Sequence, residues 1–484
     1  MHTHRGSRAN THCQVLIHHA GLYGKQHANG ILEIFRRTTL PASGIPAWKP
    51  VHKIASRLSR SAEGAGLERD LVALVDDLST TIASADGKGP MDVSGAISDW
   101  YWRVTLLLVL GHVPPGLAED YRDAWEACIE RLGSPLVNGL RAYKYVPTPA
   151  NLWYRFAAWR FRRAMTSLIN ADCAAAAARG AGAGGEETNW CVLRIMREDE
   201  EMRGLSVEDK LEIAMEFLFT GTTSVTSAIS WMLFHLGEQP AWQDAVRAEA
   251  SRVAAAPHTH GDREGSTGLV VEGVGPRDLG ELTWLDACFR ETLRLYSPIH
   301  VGRRCVTADV AGGYAVPAGA DVMTNMWWLH RDEALWPKAS VFDPRRFVDA
   351  HGATVKPEHY YPFSMGVRGC PGQAVAFMIA KLVAARVLAR VRLAPASPGE
   401  PAFKPSLMLP NTPVSIAGTT RLRHPFAAAI AAAVVGPPTF AFEAISRSHF
   451  RILNTFPPTS RMNVRCVETC TSERKKSAGA VAII

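Results

Sequence analysis

The sequence predicts a mainly α-helical protein with small β-sheets at one side. Three observations carry this. Helix-forming stretches joined by Pro/Gly loops fill most of the 484 residues. One of them, 207–236, is strongly apolar and spans about 45 Å, enough to cross a whole domain. Short alternating segments at 304–310 and 321–325, around turns such as Gly312-Gly313, read as strands.

The elements follow in order. Residues 1–24 are polar and histidine-rich, and 1–23 read as an N-terminal extension to a domain spanning 24–423. The Ala/Gly-rich stretch 171–185 reads as a loose helix end plus linker. The long helix opens at Ser206, which makes a capping pattern with Asp209, and closes before Gly237 and Pro240. Residues 258–275 form a second loop. A helix over 284–296 starts at Thr283 with Asp286 and stops before Pro298, and a third covers 374–388. After about Arg423 the periodicity is lost, so 424–484 read as an appended tail of uncertain order. There is no internal repeat.

At 47% hydrophobic and 20% charged residues, the composition suits a folded protein with a large core. A net charge of +7 without a long Lys/Arg run speaks against nucleic-acid binding, while a basic face could receive an acidic electron donor. The nine cysteines are dispersed and include no C-x-x-C, which points to a reducing intracellular compartment rather than a disulfide framework. No stretch reaches the roughly 18–20 apolar residues that cross a bilayer. No membrane anchor or secretory signal is read, so peripheral membrane contact and a cytoplasmic setting both stay open. The first sixty residues hold many Lys/Arg and one acid, Glu33, so organelle import stays open too.

The most specific signal is the run 363–372, which contains F-x-x-G-x-R-x-C-x-G: Phe363, Gly366, Arg368, Cys370 and Gly372. Chance would fill these five positions in on the order of one in ten thousand chains this long. Taken alone, an unpaired cysteine is more often a small buried residue in a Gly-rich turn. In this frame it resembles the haem-binding loop of the cytochrome P-450 family, where that cysteine is the axial thiolate of the iron. A thiolate pushes electron density onto haem iron and favours O–O cleavage. To stay ionised it needs hydrogen-bond donors and positive potential. The glycines let backbone N–H groups approach the sulfur, and a helix following Cys370 adds its dipole. Phe363 can shield the sulfur, and Arg368 can pair with a haem propionate.

The resemblance implies the cytochrome P-450 fold and haem b (iron protoporphyrin IX). It carries Glu291, Arg294 and Arg346 over as a structural ion-pair network. Glu291-Thr292-Leu293-Arg294 matches the family's E-x-x-R, and Arg346 its P-x-R-F arginine, with Arg345 where the family has a glutamate. Arg304, five residues before Asp309, matches the strand arginine that binds a propionate. His330-Arg331-Asp332 matches a landmark read as scaffold. His27 loosely resembles an early propionate contact, though a surface histidine reads as well. The chain departs from the family in apparently lacking part of the usual N-terminal region, whose strands would otherwise cover sheet edges.

Gly221, Thr222, Thr223 and Ser224 interrupt the long helix. Backward Ser/Thr hydrogen bonds can bend a helix there and make room for dioxygen and water. Capping of backbone carbonyls in a buried helix is the plainer reading of such hydroxyls. The resemblance puts Ser224 at the family's alcohol and Thr223 at its acid, with Gly221 beside them. The carboxylate is therefore absent, and general-acid work by a threonine is poor. Glu216, about 10 Å earlier along the axis, could connect only through water.

The reading is a haem-thiolate monooxygenase that inserts one oxygen atom from O2 into a small apolar organic substrate. Electrons come from a partner, a reductase or ferredoxin, and substrate contacts are expected at 217–220 and 299–302. Two alternatives stand beside it: a peroxide-using or peroxide-rearranging haem-thiolate enzyme, and a non-catalytic haem-binding or truncated relative.

Overall fold

The computed structural model describes residues 13–25, 45–61, 65–85, 90–133, 145–179, 191–255, 273–298, 301–395, 403–404, 409–410, 415–421 and 481–483. Helices dominate them: α1 (Ile45–Ser61), α2 (Ala65–Ala83), α3 (Val93–Leu110), α4 (Leu117–Gly133), α5 (Pro149–Arg179), α6 (Val192–Glu198), α7 (Glu200–Arg203), α8 (Val207–Glu238), α9 (Pro240–Ala255), α10 (Thr283–Leu295), α11 (Met326–Leu329) and α12 (Gln373–Arg390). The strands are β1 (Tyr23–Lys25), β2 (Met91–Asp92), β3 (Val301–Cys305), β4 (Asp309–Ala311), β5 (Tyr314–Val316), β6 (Asp321–Thr324), β7 (Val391–Pro395), β8 (Phe403–Lys404), β9 (Leu409–Pro410), β10 (Ser415–Arg421) and β11 (Val481–Ile483). The mainly α class with small sheets is the one expected.

Helix α8 is the spine. The Asp209 N–H donates to Ser206 Oγ at 3.1 Å, so the predicted cap forms. By length and composition α8 could cross a membrane, but 78% of its apolar window is buried inside the protein. It packs on α3, α10 and α12. Trp231 is fully buried and stacks on Tyr296 with ring centroids 3.8 Å apart. A residue of this size anchors such a crossing through the apolar area it removes from water.

Helix α10 starts where expected but is capped differently. Thr283 makes no side-chain cap; instead the Glu249 carboxylate of α9 accepts from the N–H groups of Trp284 and Leu285, at 2.9 and 3.0 Å. Beyond α10 the chain forms an antiparallel sheet of β1, β3 and β6, with β11 added in parallel on β6. Strands β4 and β5 pair as a hairpin whose two-residue turn, Gly312-Gly313, has positive φ at both residues (59° and 84°). That geometry suits a hairpin turn and strongly favours glycine.

Part of the expected N-terminal extension belongs to this sheet, since Tyr23 pairs with Cys305. Of the expected tail, 481–483 form a strand; 424–480 and 484 lie outside the described residues, as do His27, Ile299 and His300.

Candidate active site

Its own backbone holds the loop before α12 in one shape. Gly366 lies at φ 68°, and a β-carbon there would meet the Leu16 carbonyl oxygen at 2.6 Å. The Gly369 N–H donates to Gly366 O at 3.0 Å, and the Cys370 N–H to Phe363 O at 2.9 Å. The resulting turn presents Cys370 as an exposed thiol outside any disulfide, three residues before the start of α12. A β-carbon on Gly372 would lie 3.9 Å from Cys370 Sγ, so bare backbone flanks the sulfur. The first turn of α12 has neither an acid nor a side-chain cap. Its N–H groups and the positive end of its dipole therefore act on an anion at Cys370. Phe363 rests 5.7 Å from the Phe377 ring of α12, and Phe377 lies 4.9 Å from Phe289 of α10.

Helix α10 also carries the ion-pair network. Glu291 and Arg294, three apart on one face, are both 0% exposed. Arg294 donates to the carboxylate through Nε at 2.7 Å and its second terminal nitrogen at 2.8 Å. Such a two-pronged bond fixes both side chains. The guanidinium also donates to the carbonyls of His330 at 2.6 Å and Val341 at 3.2 Å. The Asp343 N–H adds 2.8 Å to Glu291, and Arg346 approaches the same oxygen at 3.4 Å. Burial pushes the Glu291 carboxyl up, and Arg294 pulls against it. His330 Nε2 in turn accepts from the Tyr361 N–H at 3.0 Å, which carries the network to the foot of the cysteine loop. Arg345, in the family's glutamate position, turns to Asp343 at 2.7 Å.

The two strand arginines part company. In the antiparallel register Arg304 lies directly opposite Asp321, and its guanidinium grips that carboxylate with two 2.9 Å bonds. Because successive strand residues face opposite sides, Arg303 points the other way. Arg303 is 7% exposed and donates to its neighbour Gly302 O; no carboxylate meets it among the described residues. Burial and the nearby Arg368 push its pKa down to about 10. Burial lowers Arg368 as well. His52 of α1 is held low by burial, against a hydrogen bond to the Gly369 main chain. Arg303, Arg368 and His52 thus lie about the cysteine loop as a group of cations or would-be cations, while Arg304 is engaged elsewhere.

Helix α8 passes its hydroxyl run without a break. Thr222 Oγ1 donates to Leu218 O at 2.7 Å and meets the Tyr121 hydroxyl of α4 at 2.6 Å; that hydroxyl also donates to Leu218 O. Ser224 Oγ donates back to Thr220 O at 3.2 Å and Gly221 O at 3.3 Å. Thr223 Oγ1 is buried with no hydrogen-bond partner among the described residues. A β-carbon on Gly221 would meet nothing within 4 Å, so open space adjoins the helix there. Glu216 is buried on the same helix, and no bond joins it to Thr223.

His52, Arg303, Tyr121 and Glu249 were not legible as site or support residues. Period-two alternation could have raised Arg303 beside Arg304; a single histidine on a basic helix gives no such signal for His52.

The donor set fits the group that the loop resemblance implies, with an exposed thiol at a helix start, cations suited to two carboxylates, and an orphaned hydroxyl beside open space. Comparison with known proteins agrees. A family model described as Cytochrome P450 matches residues 44–417. The chain is similar to Cytochrome P450 4F3 of Homo sapiens, 33% identical over 217 residues, which is 44% of this chain and 39% of that protein. It is 32% identical over 217 residues to Leukotriene-B4 omega-hydroxylase 3 of Mus musculus, with the same coverage of 44% and 39%. Against Cytochrome P450 4F4 of Rattus norvegicus it is 32% identical over 250 residues, 51% of this chain and 44% of that one. The matched part is thus less than half the length of each of these relatives.

Proposed function

Since the chain belongs to the cytochrome P450 family, we propose that it is a haem-thiolate monooxygenase. It inserts one atom of O2 into an apolar organic substrate, and the other leaves as water with two electrons and two protons. The electrons come from a separate reductase or ferredoxin. The observation that carries this reading is Cys370, an exposed thiol at the start of α12 with bare backbone beside its sulfur.

Haem, when bound, supplies the activation of dioxygen. The residues of the chain do the rest. The start of α12 would stabilise Cys370 as a thiolate toward a bound haem, with Phe363 packed against α12 beside it. Glu291, Arg294 and Arg346 lock the loop through His330. Arg303 and Arg368 would neutralise the two carboxylates of a bound porphyrin, with the neutral His52 imidazole as a further hydrogen-bonding group. Gly221 leaves space, and the Thr223 hydroxyl, unclaimed by the helix, orients water and hands on protons, with Ser224 Oγ free to accept. Substrate contacts come from 217–220 and 299–302. The name of the mouse relative, Leukotriene-B4 omega-hydroxylase 3, supports leukotriene B4 as the first substrate to try.

Reduced, carbon monoxide-treated protein should show the absorption band that gives the family its name, and Cys370→Ala should lose it. A haem protein without that band would defeat the assignment. A second reading, use of peroxides in place of O2, is supported by Thr223, a hydroxyl where proton delivery favours a carboxylic acid. Turnover with a hydroperoxide but none with O2 and a reductase would select it.

A further inference from the structure

Residues 13–25 touch both stretches that carry the candidate site, the cysteine loop and the strand of Arg303. Between the polar Gln14 and His18, the apolar residues Val15 and Leu16 are buried. They share a small core with Tyr23, Cys305, Val322 and Tyr361, separate from the main helical core, and Met365 of the cysteine loop packs against it. Leu16 O is the atom that a β-carbon on Gly366 would strike at 2.6 Å, and Ile17 lies 3.6 Å from the same point. Cys13 Sγ meets the Tyr361 hydroxyl at 3.4 Å. Tyr361 is also the residue whose N–H reaches His330, so the segment and the Glu291–Arg294 network converge on the foot of the loop.

The same segment is bonded to the sheet. Asp309 opens β4 with its side chain 7% exposed, and its Oδ2 meets His19 Nδ1 at 2.8 Å and accepts from the Tyr23 hydroxyl at 2.8 Å. A carboxylate this far from water is costly without such partners, which ties residues 19–23 to β4. Gln14 Oε1 accepts from the Gly312 N–H at 2.8 Å, and Leu22 O from the Val306 N–H at 2.8 Å. Strand β1 then lies antiparallel to β3, with Lys25 opposite Arg303. Because packed cores resist continuous deformation, the loop cannot shift against β3 without breaking these contacts. We propose that residues 13–25 form a clasp that sets the cysteine loop against the Arg303 strand, with Gln14, His19 and Tyr23 as positioning residues. With haem bound as proposed above, the clasp fixes where the thiol stands relative to a partner of the propionates.

The test uses the full chain. Tyr23→Phe with His19→Ala removes both partners of Asp309 Oδ2 and keeps the Tyr23 ring in the core; Val15→Ala with Leu16→Ala trims the apolar pair at the loop. Hydrogen exchange read by mass spectrometry on haem-free protein should rise roughly tenfold over 366–370 in both variants, with 207–238 unchanged. The amides of Gly369 and Cys370, bonded to Gly366 O and Phe363 O in the wild type, report this directly. Haem-loaded variants should pass haem to excess apomyoglobin roughly tenfold faster. They should also show a smaller share of the reduced carbon monoxide band while circular dichroism stays that of a folded protein. His19→Asn in the Tyr23→Phe background, which returns an amide donor near Nδ1, should recover part of both effects. If one double variant misfolds, the other gives the same readings. Unchanged exchange over 366–370, an equal rise over 207–238, or wild-type haem release from variants whose loop exchanges faster would each overturn the clasp. Wild-type protein that takes up no haem would instead fail the site proposed above, and exchange, read without haem, would still decide the clasp.

Discussion

Removing one charge from the Glu291–Arg294 pair should be among the most damaging single changes outside the cysteine loop. In Glu291→Gln the side chain keeps one acceptor oxygen, but an amide NH2 replaces the other. That NH2 then faces one of the two Arg294 donors, which now sit 2.7 and 2.8 Å from separate carboxylate oxygens. Arg294 remains buried at 0% exposure with its cation uncompensated, and Arg346 loses its anion. Breaking a buried pair by removing one partner costs about 3–5 kcal/mol, against about 5–15 kcal/mol for a whole domain. The expected result is a fall in Tm of roughly 4–6 °C with poor haem retention, because the pair reaches the cysteine loop through His330 and Tyr361. Arg345→Ala is the control: its pair with Asp343 is 72% exposed on the arginine side, so melting and haem content should not change. Thermal melting followed by circular dichroism, with haem absorbance per chain, measures both. If Glu291→Gln melts within about 1 °C of wild type and keeps its haem, the network is not what holds the loop.

Gly366→Ala should lose haem and stability together, by about 1–3 kcal/mol, since it combines φ 68° with a β-carbon 2.6 Å from Leu16 O; normal haem content would count against the described loop. Arg303→Ala should reduce haem retention, measured as haem per chain after gel filtration, whereas Arg304→Ala should spare it and loosen only the β3–β6 pairing; the reverse order would favour Arg304 as the propionate contact. Acid should destabilise the fold through His235, whose imidazole burial and the charges of Arg331 and Arg294 push down to about 3. The folded imidazole stays neutral while the unfolded one titrates near 6.5, so its contribution is complete above pH 6.5 and is lost as pH falls toward the folded value. That amounts to roughly 3 kcal/mol between pH 6.5 and 4, and His235→Phe, which keeps a ring against Phe342, should flatten that part of a denaturation-versus-pH curve; an unchanged slope would remove His235 as the cause.

What was legible in the chain was what contiguous residues decide among themselves. Ser206 caps its own helix, and 363–372 carry a turn whose donors, glycines and thiol lie within ten residues, so both could be read directly. Thr283 failed as a cap because Glu249, on another helix, reaches the same N–H groups first. Arg304 illustrates a sharper limit. Its spacing to Asp309 matched the family, yet in a strand one position decides the face, and which face is buried depends on a register with 321–324 that no spacing encodes. His52 is worse placed still, since its partner Gly369 is more than three hundred residues away. The hydroxyl run obeys the same logic. Thr222, Thr223 and Ser224 are nearly equivalent as a sequence, and all three could have bonded backward to the helix. The Tyr121 hydroxyl, from a helix about a hundred residues earlier, joins Thr222 and Leu218 O, while Ser224 finds two carbonyls of its own. Of the three, only Thr223 is left with a hydroxyl oxygen that no described residue uses. The hydroxyl best placed to serve a bound molecule is therefore selected by what the rest of the fold has already claimed.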